Sequence, residues 1–215
     1  MKKTILSALF AILYFASASA EVGVTVGVSG QVGLFAASGQ ETQTGEKTDK
    51  HTGSEHGEVG YGSVFLEAKF DRVAVGVDFV PGALETETTE SIRLDKTTSS
   101  TASSSENKVQ IDFEELTTLY LAVDVLDSMY IKAGYMSVDV ITNENLATGS
   151  SYGNTDLDGT MVGVGYATEL ANGIQLRVEG NYLTFDGASL TSNDNTVKIN
   201  QLDGVTGKVS LAKSF

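Results

Sequence analysis

From Val22 onward the chain alternates apolar residues with small or polar ones, and this two-residue beat returns in segment after segment down to Phe215. Successive side chains of a β-strand point to opposite faces, so each such segment has one apolar face and one polar or small face. The beat predicts eight strands, at about 22–35, 63–70, 73–79, 108–124, 129–140, 160–167, 174–182 and 196–215. In the first, Val22, Val24, Val26, Val28, Val32 and Leu34 oppose Gly23, Thr25, Gly27, Ser29, Gln31 and Gly33. In the seventh, Ile174, Leu176, Val178 and Tyr182 oppose Gln175, Arg177, Glu179 and Asn181. Two places break the pattern. Glu115 and Thr117 fall on the apolar face of the fourth strand, which calls for a bulge near Glu114 or for Glu115 above the apolar band. The fifth strand changes parity over Met136–Val140 and receives no face assignment there. No helical periodicity of useful length follows Ala20, and the fold class predicted is all-β.

The connections alternate in length. Short turns join the second strand to the third, the fourth to the fifth and the sixth to the seventh, where Ala171-Asn172-Gly173 supplies turn chemistry. Long polar loops are expected at about 36–62, 82–107, 139–159 and 186–195. Such sorting puts all the long loops at one rim of the sheet. The strands share one pattern throughout, so a single domain is expected over 21–215.

Alternation alone does not say which face is inside. A soluble sandwich or barrel points its apolar face inward. Three features favour the reverse. The apolar face carries few charges, Glu115 and Lys213 being the clear exceptions. The polar face holds Gly23, Gly27, Gly33, Gly76, Gly134, Gly163 and Gly165, which a narrow interior needs and a solvent face does not. The long and short connections sort to opposite ends, as in membrane barrels. A sheet in hydrocarbon must close on itself, because each unpaired backbone group there costs several kcal/mol. The sequence therefore predicts an eight-stranded antiparallel up-and-down transmembrane β-barrel with lipid-facing valines.

The amino terminus supports export. Met1-Lys2-Lys3 is a basic n-region, Ile5 to Phe15 an apolar h-region, and Ala18-Ser19-Ala20 a small-residue cleavage site. A signal peptide over 1–20, cut after Ala20, is expected. Losing Lys2 and Lys3 takes the formal charge from −14 to −16, with 12 basic against 28 acidic side chains. That excess speaks against nucleic acid as a partner. The chain has no cysteine, so no disulfide holds it.

With the signal peptide, the eight strands, the lopsided connections and the ending Val205-Thr-Gly-Lys-Val209-Ser-Leu211-Ala-Lys-Ser-Phe215, the chain resembles the small outer-membrane barrels of the OmpA/OmpX type. The resemblance covers 21–215. It implies the outer membrane of a Gram-negative cell, with outer-membrane lipids and the barrel-insertion machinery as partners. Val209, Leu211 and Phe215 would form the signal that this machinery reads. Lys213 departs from the pattern, since an apolar or aromatic residue is usual there. Members of the family serve as adhesins, envelope-stabilising proteins and a few lipid-modifying enzymes.

The lumen of such a barrel would hold Glu67, Asp78, Asp112, Glu114 and Glu179 with Lys69, Lys132, Arg177, Lys198 and Lys208. Both signs in a space only wide enough for side chains predict an ion network that fills it, in preference to a small-ion or proton path. His51 and His56 lie in the first long loop beside Asp49 and Glu55. They could bind a metal or act as a base. No Ser, His and acid fall at a defined spacing, however, and the His51–His56 spacing misses the one-turn helical zinc motif, so a solvated loop is preferred. No catalytic residue, metal site or cofactor is assigned. Asn154-Thr155-Asp156-Leu157-Asp158-Gly159 has calcium-loop character but lacks the full spacing. The acidic loops suit solubility, or a cation-bridged or basic extracellular ligand. The function expected is a non-enzymatic surface protein for envelope structure or loop-mediated contact. A narrow solute pore and an outer-leaflet lipid-modifying enzyme are the alternatives.

Overall fold

The computed structural model describes residues 22–44, 48–85, 89–95, 103–145, 151–192 and 195–215. The expected signal peptide lies outside them. The described residues form eleven strands: β1 (Gly23–Thr44), β2 (Thr48–Phe70), β3 (Val73–Phe79), β4 (Leu84–Glu85), β5 (Thr89–Asp95), β6 (Ser103–Leu126), β7 (Met129–Asn145), β8 (Thr155–Ala171), β9 (Ile174–Phe185), β10 (Ala188–Ser192) and β11 (Asn195–Ser214). Eight of them, β1-β2-β3-β6-β7-β8-β9-β11, form antiparallel neighbours, and β11 pairs back onto β1 to close the ring. After Pro81-Gly82, β4 and β5 carry the line of β3 further along β6. β10 extends the line of β9 along β11 in the same way.

Closure has a definite stagger. The row of direct partners Val26, Leu66, Val77, Leu119, Tyr135, Thr160, Thr184 and Asp203 returns to β1 at Ala36, ten residues above its start. With standard strand spacings, a ten-residue offset over eight strands tilts the strands by about 40°. The exterior of β9 is Ile174, Leu176, Val178, Gly180 and Tyr182. At that tilt those nine residues rise about 22 Å, close to the apolar band of membrane barrels. Val32 (68 % exposed), Val205, Val209, Leu211, Val162, Val164, Ile131 and Leu121 extend this apolar belt around the barrel.

The tight turns lie at Asp71-Arg72, Asp127-Ser128 and Asn172-Gly173, where Asp71, Asn172 and Gly173 have positive φ. At the other rim the expected loops are largely strand: β1 continues to Thr44, β2 starts at Thr48, and β7 and β8 span much of 139–159. Polar hairpins extend the barrel wall beyond the belt. The wall is incomplete on one side. β2 pairs with β3 only up to Val64–Phe79, and among the described residues its edge from Thr48 to Ser63 has no partner there.

Above the belt the barrel inverts its polarity. On β7 the even residues face inward throughout: Tyr130, Lys132, Met136, Val138 and Val140 are buried. The strand keeps its parity and the chemistry changes, which resolves the Met136–Val140 ambiguity. Outside the membrane a barrel needs an apolar core and a polar exterior, so Ser137 and Asp139 face out where Ile131 and Ala133 do below. In β6 a bulge performs the swap. Glu114 pairs with Asp139 but Thr117 with Ser137, so one extra residue is accommodated, and Glu115 takes φ 55°. Beyond it Phe113 and Ile111 turn inward and pack on the core. A register shift opposite Ser38 and Gly39 does the same in β11.

Candidate functional site

The interior has two storeys. Nearer the short turns, six of the expected charged residues form three buried ion pairs. Arg177 Nη1 lies 2.7 Å from Glu67 Oε1, Lys132 Nζ 3.2 Å from Glu179 Oε2, and Lys208 Nζ bonds Asp78 Oδ2. All six face inward by the alternation of their strands and are buried. Two tyrosines complete the set: the Tyr120 hydroxyl donates to Glu67 at 2.8 Å and the Tyr130 hydroxyl to Glu179 at 2.7 Å. Lys132 also sits 3.8 Å from the centre of the Tyr120 ring. Equal numbers of acids and bases leave the storey neutral, and each charge is desolvated against a partner.

Glycines make this packing possible. Phe65, Tyr120 and Tyr130 point inward directly opposite Gly27, Gly76 and Gly165 on adjacent strands. A Cβ on any of these glycines would collide with the facing ring. Asn181 faces Gly163 in the same manner. Alternating large with nothing lets a narrow barrel fill itself.

The upper storey is apolar. Val80, Leu116, Met136, Val138, Val140, Leu157, Met161, Leu183 and Phe185 form one buried cluster, with Phe35, Tyr61, Ile111 and Phe113 packed against it. On each strand that carries both, the ionic residue lies nearer the short turns: Asp78 below Val80, Tyr120 below Leu116, Lys132 below Met136, Glu179 below Leu183. The lumen is thus closed twice, by ion pairs and by an apolar plug.

The remaining expected lumen residues lie elsewhere. Lys69 faces inward but at the short-turn rim, where it pairs with Asp124 at 2.6 Å, both partly exposed. Asp112, Glu114 and Lys198 are corrections. Above the β6 bulge the parity is reversed, so Asp112 and Glu114 turn outward; Asp112 accepts from Asn143 Nδ2 at 2.6 Å and from Gln110 Nε2 at 3.3 Å. Lys198 lies above the β11 register shift and is exposed. Sequence reasoning overlooked Asp124 as the partner of Lys69, although it shares the parity of Tyr120. It also did not credit the tyrosine hydroxyls, whose positions on the charged face were the available signal.

Val209, Leu211 and Phe215 are exposed on the outer face of the last strand. Phe215 N donates to Val24 O at 2.9 Å, so the final residue is bonded into the closing seam. Lys213 Nζ reaches the carbonyl of Asn172 at the adjacent turn, which places its charge at the rim and not in the belt. His56 is exposed on the β1–β2 hairpin opposite Ala36. The side chain of His51 lies outside the described residues. Asp156 and Asp158 belong to β8 and not to a loop, and Asn154 Oδ1 accepts from Thr142 N at 3.0 Å. Glu114, Asp139 and Asp156 form a cross-strand row above the belt. Among the described residues, however, no three acids or histidines come close enough to hold a metal. Tyr182, at the top of the belt, donates to Asp203 at 2.9 Å, as an interfacial tyrosine does.

No protein-family model and no curated protein matches the chain. Solved structures do. The outer membrane protein OprG from Pseudomonas aeruginosa matches with TM-score 0.53 at 13 % identity, over 91 % of this chain and 97 % of that one. The outer membrane protein AlkL in lipid bilayers matches with TM-score 0.50 at 14 % identity, over 93 % of each chain. Ail of Yersinia pestis gives TM-score 0.44 at 9 % identity, over 91 % of this chain and 100 % of that one. The chain has the all-antiparallel fold of the small outer-membrane barrels, as the OmpA/OmpX-type resemblance implied.

Proposed function

We propose that this chain is a non-conducting surface protein of the Gram-negative outer membrane, and that it acts through the part of the barrel standing above the lipid. The observation that carries this reading is the doubly closed lumen, with three ion pairs beneath an apolar plug. Such an interior spends its charges on one another. The short turns and both termini face the periplasm, and the extended hairpins face the medium. The hairpins are acidic on their outer face: Glu58, Glu114, Glu115, Asp156 and Asp186 point into solvent or head groups. This suits a contact bridged by divalent cations to anionic lipid head groups, or a basic extracellular ligand. The outer row Val209, Leu211 and Phe215 serves as the insertion signal, and the leader is cut after Ala20.

Planar-bilayer recording of the purified barrel tests the reading. We expect no stable large conductance. Large open channels in the wild type would overturn it. Trimming β1 and β2 to Phe35–Tyr61 tests the contact role, since a variant that inserts normally yet retains every surface phenotype is incompatible with it. The enzymatic alternative is tested separately: a lipid A mass change on expression, lost in His56→Ala, would replace this reading.

A further inference from the structure

We propose that the lumen binds one water molecule between two of its ion pairs, bridging the Asn181 side chain to the ammonium groups of Lys132 and Lys208. A cavity of about 20 Å³ lies where the two storeys meet, with Asp78, Lys208, Glu179, Lys132, Asn181 and Thr206 in its polar wall. Asn181 is 7 % exposed, and its Nδ2 donates to Thr206 Oγ1 at 3.3 Å. Its Oδ1 is buried and, among the described residues, has no hydrogen-bond partner. A buried carbonyl oxygen in that position calls for a donor.

The wall has donors to spare. Each ammonium carries three N–H groups, and Lys132 Nζ bonds Glu179 while Lys208 Nζ bonds Asp78. An acceptor wants a proton on one side of the cavity, and donors want a lone pair on the other. Water satisfies both at once. The volume holds one such molecule, and polar partners are the condition for its occupancy. Other occupants fit worse. A cation would meet two ammonium groups, and an anion would meet two carboxylates and the Asn181 oxygen. An apolar group would strand every polar atom in the wall. Met136 and Met161 also line the cavity, beside Leu116 and Leu183. A water bridging three polar groups should exchange more slowly than surface water.

The methionines supply the test. The full chain, with methyl-labelled Met, is folded in lipid nanodiscs and water-to-methyl cross-relaxation is measured by NMR. We expect signals from a long-lived water at the Met136 and Met161 methyls and at the Asn181 side-chain amide, and at least a fivefold loss of the methyl signals in Asn181→Leu. Their absence in folded wild-type protein overturns the proposal. So does a halide-dependent shift of the Asn181 amide, which would make the occupant an anion. The wild-type measurement decides the matter even if Asn181→Leu fails to fold. Thr206→Val, which removes the anchor of Asn181 and keeps the volume, should weaken the same signals.

Discussion

Tyr120 lies directly across from Gly76, and its ring fills the space that a side chain on Gly76 would need. The pair joins β3 to β6 and sets the Tyr120 hydroxyl on Glu67. The absence of a side chain at one position therefore orients an ionic network at another. Gly76→Val should cost about 1–3 kcal/mol or more by overpacking, read as a lower midpoint in urea unfolding from detergent. Gly180 is the control. It faces outward with nothing near its Cβ position, so Gly180→Ala should be neutral or mildly stabilising. Equal effects at the two sites would contradict the assigned faces.

Arg177 and Glu67 are 110 residues apart in sequence and 2.7 Å apart in the lumen. Removing the arginine leaves the carboxylate buried without its counter-charge. Arg177→Ala should lose about 3–5 kcal/mol, seen as a lower temperature for the heat-modifiable gel shift. The double variant Glu67→Gln with Arg177→Met should recover much of that loss, because neither charge is then stranded. Neither protein should gain a large conductance, since the apolar storey above is untouched. A double variant as unstable as the sum of its singles would mean that the pair is not coupled.

The outer face should respond to charge according to height. Ile131 projects from the middle of the belt, while Ser137 lies six residues higher on the same strand, just above Tyr135. Ile131→Arg should cost about 2–4 kcal/mol in a bilayer, against about 0–1 for Ser137→Arg. Arg at 137 also gains acidic neighbours, since its direct partner on β8 is Asp158. Reversible folding into large lipid vesicles measures both. A larger penalty at 137 than at 131 would move the membrane boundary.

The eight barrel strands could be read from alternation, and the inward position of Glu67, Asp78, Lys132, Arg177, Glu179 and Lys208 from alternation together with the glycines, the sparse charges of the apolar face and the sorted connections. Such reading works while one face meets lipid and the other a packed lumen. It failed for Asp112, Glu114 and Lys198 because both surroundings change above the belt. There the barrel behaves as a soluble one, and the apolar residues Val138, Val140 and Leu157 must point in. Long polar stretches such as Thr48–Gly60 also read as loop, because neither face of a hairpin in water needs to be apolar. Their strand character comes from pairing across the hairpin, as Ala37 with Glu55, which leaves no periodic trace. Similarly, the Lys69–Asp124 contact reaches across β3 from β2 to β6, and no local spacing records it.

Glu115 is where the inversion is built into the chain. Its positive φ and the extra residue of the bulge let Leu119 and Leu121 face lipid while Phe113 and Ile111 face the plug. Two changes there should diverge. Glu115→Gly relieves a left-handed backbone that glycine adopts freely, and should be neutral or stabilising by up to about 1 kcal/mol. Deleting residue 115 removes the parity switch and would turn Phe113 and Ile111 out and Asp112 and Glu114 in. The plug should then loosen while the belt stays intact. Hydrogen exchange should accelerate at Val138–Val140 and Leu84 yet remain slow at Ile131 and Leu121. Unchanged protection at Val138–Val140 after the deletion would show that the bulge does not set the face of the upper strand.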